Sequence, residues 1–385
     1  MLSLNPTADY LSEQLHNPIH YDAHFTLNTG QAGAWQIYKY QDVKQILEDN
    51  NVFHSNYILP NENIILSYGV NLMNNPEHAR VRAVLDKAFL EVMKINLRQQ
   101  ITSQVDDLIR QVESGKTYDV VDVLSDRLPV YVISGLLGIP APDYRQVSLW
   151  AKALVSDPSL IGGPMGFFKV QAEMTLFFED LIRSKTEFPG NDIISALISE
   201  EVDGFKLSSR ELIANCINLL IAGSETTSAL LSIIVYYLAE NPIAYAELRE
   251  TPSMVPSFIA ELLRYRTPVQ SMYRVCGIDT VVSGKAIKKG DMIVAWIGSA
   301  NNDPSVFPSP EKFDIHRQNL KEVLSFGGNG IHHCFGAPLA KLEASLFLNA
   351  ILNRFKEIKL QVDKPSLNPT TVVYSLSSLP ITFYK

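Results

Sequence analysis

Phe326-Gly-Gly-Asn-Gly-Ile-His-His-Cys-Phe-Gly-Ala-Pro-Leu-Ala-Lys341 sets one cysteine among four glycines, directly before a run with helical spacing. Gly327, Gly328 and Gly330 permit backbone dihedrals that a Cβ forbids. Pro338 suits a helix's first turn. Apolar residues at Leu339, Leu342, Leu346, Phe347, Ala350 and Ile351 predict a helix over 339–355. Cys334 therefore lies on a tight loop at a helix start, where free backbone N–H groups and the helix dipole favour an anion. Such a place suits a thiolate rather than a thiol.

A cysteine so placed admits three readings. It can be an inert, packed thiol. It can join His332 and His333 on zinc, although no second Cys/His pair stands elsewhere at zinc spacing. It can be the axial thiolate of a haem iron. Other stretches bear on the choice. Ser208-Ser-Arg-Glu211 reads as a capping box. It opens a helix of some thirty residues, ~45 Å at about 1.5 Å each, running to about Ala239. Ala222-Gly-Ser-Glu-Thr-Thr227 stands in its middle. Gly and Thr are poor interior helix residues, so this hexad reads as a groove beside buried polar groups, or as a satisfied kink. His78 and Arg82 are four apart and share one helix face, which by itself describes a solvated basic surface. Glu261 and Arg264 stand one turn apart on another helix and by themselves describe a surface pair.

Together these stretches resemble the cytochrome P450 family. Gly330 to Lys341 looks like its cysteine-ligand loop, and Ala222–Thr227 matches its oxygen-binding motif at every position. The Glu-x-x-Arg pair Glu261/Arg264 and the His-x-x-x-Arg pair His78/Arg82 follow in family order, over a resemblance from about Trp35 to Phe383. One departure stands out. The family pattern has its Phe seven positions before the Cys, whereas Phe326 lies eight before Cys334, so one residue is inserted before Gly330. A bulge at Asn329 is expected, since Asn tolerates left-handed backbone, with Phe326 still packed near the sulfur.

The resemblance implies a mainly α fold with small β-sheets and haem b between the long central helix and the Cys-loop helix. Cys334 would ligate the iron, within a loop that includes Phe326 and Gly336. His78, Arg82, Arg274 and His332 would bind the haem propionates, and Arg317 would join the buried Glu261/Arg264 pair. Ala222 would lie against the haem, and Gly223 would leave room for dioxygen. Thr226 would hydrogen-bond the bound oxygen, and Glu225 would relay protons from solvent. The implied activity is monooxygenation, hydroxylation or epoxidation, of a small, mostly apolar substrate from secondary, fatty-acid or terpenoid metabolism. A non-catalytic haem-thiolate sensor or carrier would not need the acid–alcohol pair Glu225-Thr226, and peroxide-driven peroxygenases lack it.

The 385 residues are 46% hydrophobic and 19% charged, an ordinary globular balance. A net charge of -8 argues against nucleic acid as partner. The three cysteines, Cys216, Cys276 and Cys334, form no disulfide framework and fit a reducing cytoplasm. The N-terminal residues lack a signal-peptide pattern, and no membrane anchor is expected; the apolar Ile217–Ala239 is broken mid-span by Glu225 and reads as a core helix. One domain over 1–385 is expected: a β-containing part at roughly 25–55, a helical core at 75–355 and strands at 356–385. Residues 1–30 read as polar and irregular. Val52–Met73 reads as an apolar loop, either core packing or a lid over a pocket, with Ile217, Leu220 and Gln270–Met272 completing that pocket. Asp157-Pro and Ile161-Gly-Gly-Pro164 read as a break between two helices. No flavin or ferredoxin stretch is visible. Electrons, ultimately from NAD(P)H, would come through a ferredoxin or flavodoxin with its reductase; Arg80, Lys87, Lys94, Arg98 and Lys341 read either as a basic dock for it or as a merely solvated charge face.

Overall fold

Ser208 starts the longest helix. Its hydroxyl accepts the Glu211 N–H at 3.3 Å, while the Glu211 carboxylate accepts the Ser208 N–H at 2.7 Å. The two orphan donors of a helix start are thus satisfied reciprocally. The helix runs from Ser209 to Glu240, 32 residues or about 48 Å. At its end the Asn241 side chain donates to the Tyr237 carbonyl at 2.7 Å, ahead of Pro242. It is apolar and long enough to cross a membrane, but Thr227 to Leu238 are buried without interruption, which is what a core helix requires.

The computed structural model describes residues 4–26, 32–58, 63–94, 96–155, 158–368 and 372–385. Helices dominate. Against the central helix pack Arg127–Leu137, Tyr144–Val155, Gly163–Glu187, Val255–Tyr265 and Ala337–Arg354, while Leu97–Arg110 packs on the last of these and Glu77–Met93 on the short helix Ile193–Ser199. The five-stranded sheet runs in the order Ile19–Thr26, Ala32–Ile37, Met292–Ala295, Met272–Cys276, Phe53–His54. Arg274 stands opposite Ile293 in the antiparallel pair. A three-stranded sheet joins Thr117–Asp119, Pro380–Tyr384 and Glu357–Leu360, and a hairpin pairs Thr280–Val282 with Lys285–Ile287.

Residues 1–30 depart from the irregular reading, since Thr7–His16 is a helix and Ile19–Thr26 a strand. The helix is held by polar contacts that leave no apolar stripe in the sequence: Gln14 donates to the Ser299 carbonyl at 2.8 Å and Thr7 to Asn302 at 3.2 Å. The Gly/Pro break is present, with Gly162 at φ +87° and a helix from Gly163 carrying Pro164 in its first turn. Asp157 lies outside the described residues, as does part of the apolar loop, 59–62. Ile65–Tyr68 and Val70–Leu72 of that loop form two short 3₁₀ turns packed on the central helix. Asn215 accepts the Val70 N–H at 3.0 Å and Asn218 donates to Asn71 at 2.8 Å. Ile217 and Leu220 are core residues, fully buried.

The Glu261/Arg264 pair is no surface contact. Both are fully buried, with Arg264 Nε 2.9 Å and Nη2 2.8 Å from the two Glu261 oxygens. Arg317 Nε reaches Glu261 Oε1 at 3.0 Å. Arg264 also donates to the carbonyls of Asn301, Pro310 and Lys312 at 3.1, 3.0 and 3.1 Å. Removing the carboxylate would strand two guanidinium groups in the interior, at a cost of about 3–5 kcal/mol. Glu261→Ala is therefore expected to lower the denaturation midpoint and the yield of haem-loaded protein; unchanged urea unfolding would show that the cluster does not hold the fold.

Candidate functional site

The cysteine loop closes on itself despite its extra residue. The Cys334 N–H donates to the Phe326 carbonyl at 2.9 Å, and the His333 N–H to the Gly330 carbonyl at 3.0 Å. The inserted turn is carried by Gly327 at φ +90° and Gly328 at φ +67°, not by Asn329. Glycine enters that region without steric cost, which leaves Asn329 free to donate its N–H to Glu48 Oε1 at 2.9 Å. Gly330 backs onto the end of the helix Tyr40–Glu48, where a Cβ would lie 2.5 Å from the Leu47 carbonyl. Phe326 is partly buried against the core, and Lys341 Nζ sits 5.1 Å above its ring. The helix after the cysteine begins at Ala337, two residues earlier than its apolar spacing indicates, with Pro338 in the first turn.

Cys334 is exposed, whereas Cys216 and Cys276 are buried. Its low-dielectric surroundings push the thiol up; the Gly336 and Ala337 N–H groups and the Arg82 guanidinium act the other way without cancelling the burial. The loop by itself thus favours the thiol over the thiolate expected from its place at a helix start, because burial outweighs the nearby donors; a metal bound there would displace the proton.

Around it converge His78, Arg82, Arg274 and His332, from one helix, one strand and the loop. The His78 and His332 rings lie 4.4 Å apart. Burial and then the positive charges of Arg274, His78 and Arg82 push His332 down to about 3, against one hydrogen bond with Met73. Burial and then Arg82 push His78 down to about 4. Burial pushes Arg274 down to about 10. Among the described residues, His78 Nε2, His332 Nε2 and Arg274 Nε have no hydrogen-bond partner. Buried, mutually repelling donors of this kind fit carboxylates, and haem carries two as propionates. Arg82 divides its fork between Asp86 at 2.8 Å and the His333 carbonyl at 3.0 Å, and stacks 4.8 Å from Phe335. It therefore ties the cysteine loop to the helix Glu77–Met93.

On the central helix, Ala222 is exposed although the helix is a core element. Thr226 donates its hydroxyl to the Ala222 carbonyl at 2.7 Å, leaving its lone pairs to accept. A Cβ at Gly223 would lie 3.0 Å from Ile133, so the space that this glycine leaves is used by the helix Arg127–Leu137. Glu225 is pushed up to about 7 by burial and then by Asp126, with Lys152 opposing. The central helix packs directly against the helix Ala337–Arg354 that follows the cysteine.

Four residues near these groups escape a reading of the sequence. Asp126 and Lys152 pair with each other across 26 residues of chain, and neither belongs to a motif. Glu48 ends an ordinary amphipathic helix. Glu343 is a fully buried acid with an unpartnered oxygen among the described residues, and burial holds it well above the usual carboxylate range. An acid on the apolar side of a predicted helix is the one signal that could have marked it. The expected basic dock is largely self-neutralised: Arg80 pairs with Glu77 at 3.5 Å, Lys94 with Glu91 at 2.6 Å and Lys87 with Glu200.

The family model for cytochrome P450 matches residues 167–383. Cytochrome P450 CYP107DY1 of Priestia megaterium is 38% identical, over 80% of this chain and 75% of its own length. The polyketide biosynthesis cytochrome P450 PksS of Bacillus subtilis is 33% identical over 91% of this chain and 89% of its own. The crystal structure of CYP109E1 from Bacillus megaterium with testosterone superposes at TM-score 0.90 and 33% identity, covering 98% of this chain and 97% of that one.

The Glu48 contact generates a prediction. Glu48→Ala should lower stability by about 1–2 kcal/mol and shift the absorption of the thiolate–carbon monoxide complex, because the loop loses its outer anchor. Glu48→Gln, which keeps an acceptor, should restore most of both. Spectra identical in all three proteins would mean that the sulfur does not depend on this anchor.

Proposed function

The chain belongs to the cytochrome P450 family, and from that premise we propose how its own residues divide the work and what it oxidises. It is a monooxygenase of the P450 fold, uses haem b and takes electrons from NAD(P)H through redox partners. Cys334 would be the axial ligand, with His78, Arg82, Arg274 and His332 holding the propionates. Haem bound through a thiolate supplies oxygen activation, in which one oxygen atom enters the substrate and the other leaves as water.

The observation that carries the division of labour is Glu225 beside Thr226 in the middle of a buried helix. Neighbours on a helix point about 100° apart, so the two cannot face one point squarely. Thr226, whose proton is engaged by the Ala222 carbonyl, offers lone pairs to the haem side and can pass a proton on. Glu225, pushed up to about 7, holds a proton near neutrality and can release it. A water between them closes the relay. Gly223 serves packing in this scheme, through Ile133.

The substrate would be a rigid, largely apolar molecule of steroid or polyketide size. The relative named for polyketide biosynthesis and the testosterone-bound neighbour support this class. So do the apolar 3₁₀ turns at Ile65–Leu72, anchored on the central helix by Asn215 and Asn218. Electrons would arrive through a ferredoxin or flavodoxin.

Titrating the haem-loaded protein with steroids, macrolides and fatty acids should give substrate-type spectral shifts with the first two. Binding of fatty acids alone would replace this class. Thr226→Ala should consume NADPH normally yet release hydrogen peroxide in place of product; unchanged coupling would remove Thr226 from the relay. Glu225→Gln should slow turnover by on the order of 10²-fold. Glu225 is protonated below about pH 7 and deprotonated above it, so parent turnover should fall as pH rises through that value. A flat pH profile in the parent would rule out Glu225 as the proton source.

A further inference from the structure

Glu225, Ser228 and Ser232 stand at i, i+3 and i+7 on the central helix, so they share one face. Thr226, about 100° round the helix from Glu225, lies off that face. It lines a cavity of about 150 Å³, walled by the start of the helix Arg127–Leu137, the end of the helix Tyr144–Val155 and the C-terminal segment around Ser377. Ser228 and Ser232 are buried, whereas Ser377 is exposed and marks the mouth. Its lining is mixed, with Val121, Val155, Leu160, Val373 and Leu376 beside the polar side chains, and at roughly 30 Å³ each it has room for several waters. Asp126 has both carboxylate oxygens engaged there: Oδ2 with Lys152 Nζ and Oδ1 with the Ser228 hydroxyl. Lys152 also faces Glu225 and Asp122. The C-terminal wall contributes only serines and Asn368 as polar side chains.

We propose that this cavity is the proton entrance to Glu225, with Asp126 and Lys152 as positioning residues that set the charge of Glu225 between transfers. The inference rests on Glu225 being the relay acid. Waters filling it, beside the serine hydroxyls of its walls, would carry a proton from the exposed Ser377 to the buried carboxyl. Asp126 is committed to its partners and works through its field. Its negative charge beside Glu225 disfavours a second carboxylate, so Glu225 keeps its proton until the relay takes it. Lys152 acts in the opposite sense, and its pairing with Asp126 keeps it from claiming Glu225. Protons thus enter on the side of the central helix away from Thr226, and the substrate side can close without cutting the supply.

The test uses haem-loaded protein and begins with infrared titration of the Glu225 carboxyl, identified by its loss in Glu225→Gln. The parent midpoint should lie at about pH 7. Asp126→Asn removes the repelling charge and frees Lys152 for Glu225, so the midpoint should move to lower pH. Lys152→Met should move it to higher pH. Ser377→Trp plugs the mouth; it should leave the haem spectrum intact, slow turnover several-fold and enlarge the solvent deuterium isotope effect. Midpoints that move together or not at all overturn the roles of Asp126 and Lys152. An unchanged rate and isotope effect in Ser377→Trp overturns the entrance. If Glu225→Gln itself keeps the parent's rate, the relay reading has failed and the entrance falls with it; a slow Glu225→Gln beside a normal Ser377→Trp sinks the entrance alone.

Discussion

One carboxylate, Glu261, is shared by two arginines in an interior that excludes water, and the path to the cysteine starts there. Arg264 answers Glu261 and pins the Asn301 carbonyl; the Asn301 side chain then donates to the Ser325 hydroxyl at 2.9 Å and accepts the Leu324 N–H at 2.8 Å. Ser325 in turn donates to the Leu263 carbonyl at 2.6 Å, on the helix that carries the pair. The next residue is Phe326, whose carbonyl receives the Cys334 N–H. A buried ion pair is weak evidence for stability by itself. Here its value is positional: it fixes the residue from which the sulfur loop is hung.

The second constraint is electrostatic. His78 and His332 sit where burial and the charges of Arg82 and Arg274 oppose protonation, and burial opposes charge on Arg274 as well. Such a cluster is poor folding material and good binding material. An anionic group would bring what the donors lack, so a haem held there, as proposed, would count as part of the core as well as the seat of chemistry. The expected consequence is a protein whose stability depends on haem content.

How much of this was legible in the sequence depended on whether the relevant contacts were local. The capping box, the Gly/Pro punctuation at Gly162–Pro164 and the hexad at Ala222–Thr227 are short-range patterns, and they place the central helix and its polar interruption. The Cys334 loop was readable because glycines and a following helix constrain each other within a dozen residues. Long-range partnerships were not readable. Glu48 meets Asn329 across 281 residues, and Asp126 meets Ser228 across 102. No periodicity records such a meeting. Where sequence reasoning placed a local feature wrongly, a neighbour explains it: Asn329 was the plausible bulge until Glu48 claimed its N–H, and Gly223 looked like space for a ligand until Ile133 filled it.

The extra residue of the cysteine loop also changes how the molecule transmits force. Through Asn329 and Gly330 the loop leans on the last turn of the helix Tyr40–Glu48, whose other end is tied through the Tyr40 hydroxyl to the Glu322 carbonyl at 2.9 Å. That helix meets the sulfur's support at residue 322 through Tyr40 and at residue 329 through Glu48. A change in the placement of Tyr40–Glu48 would therefore move two supports of the Cys334 loop at once, from a surface that never touches the sulfur.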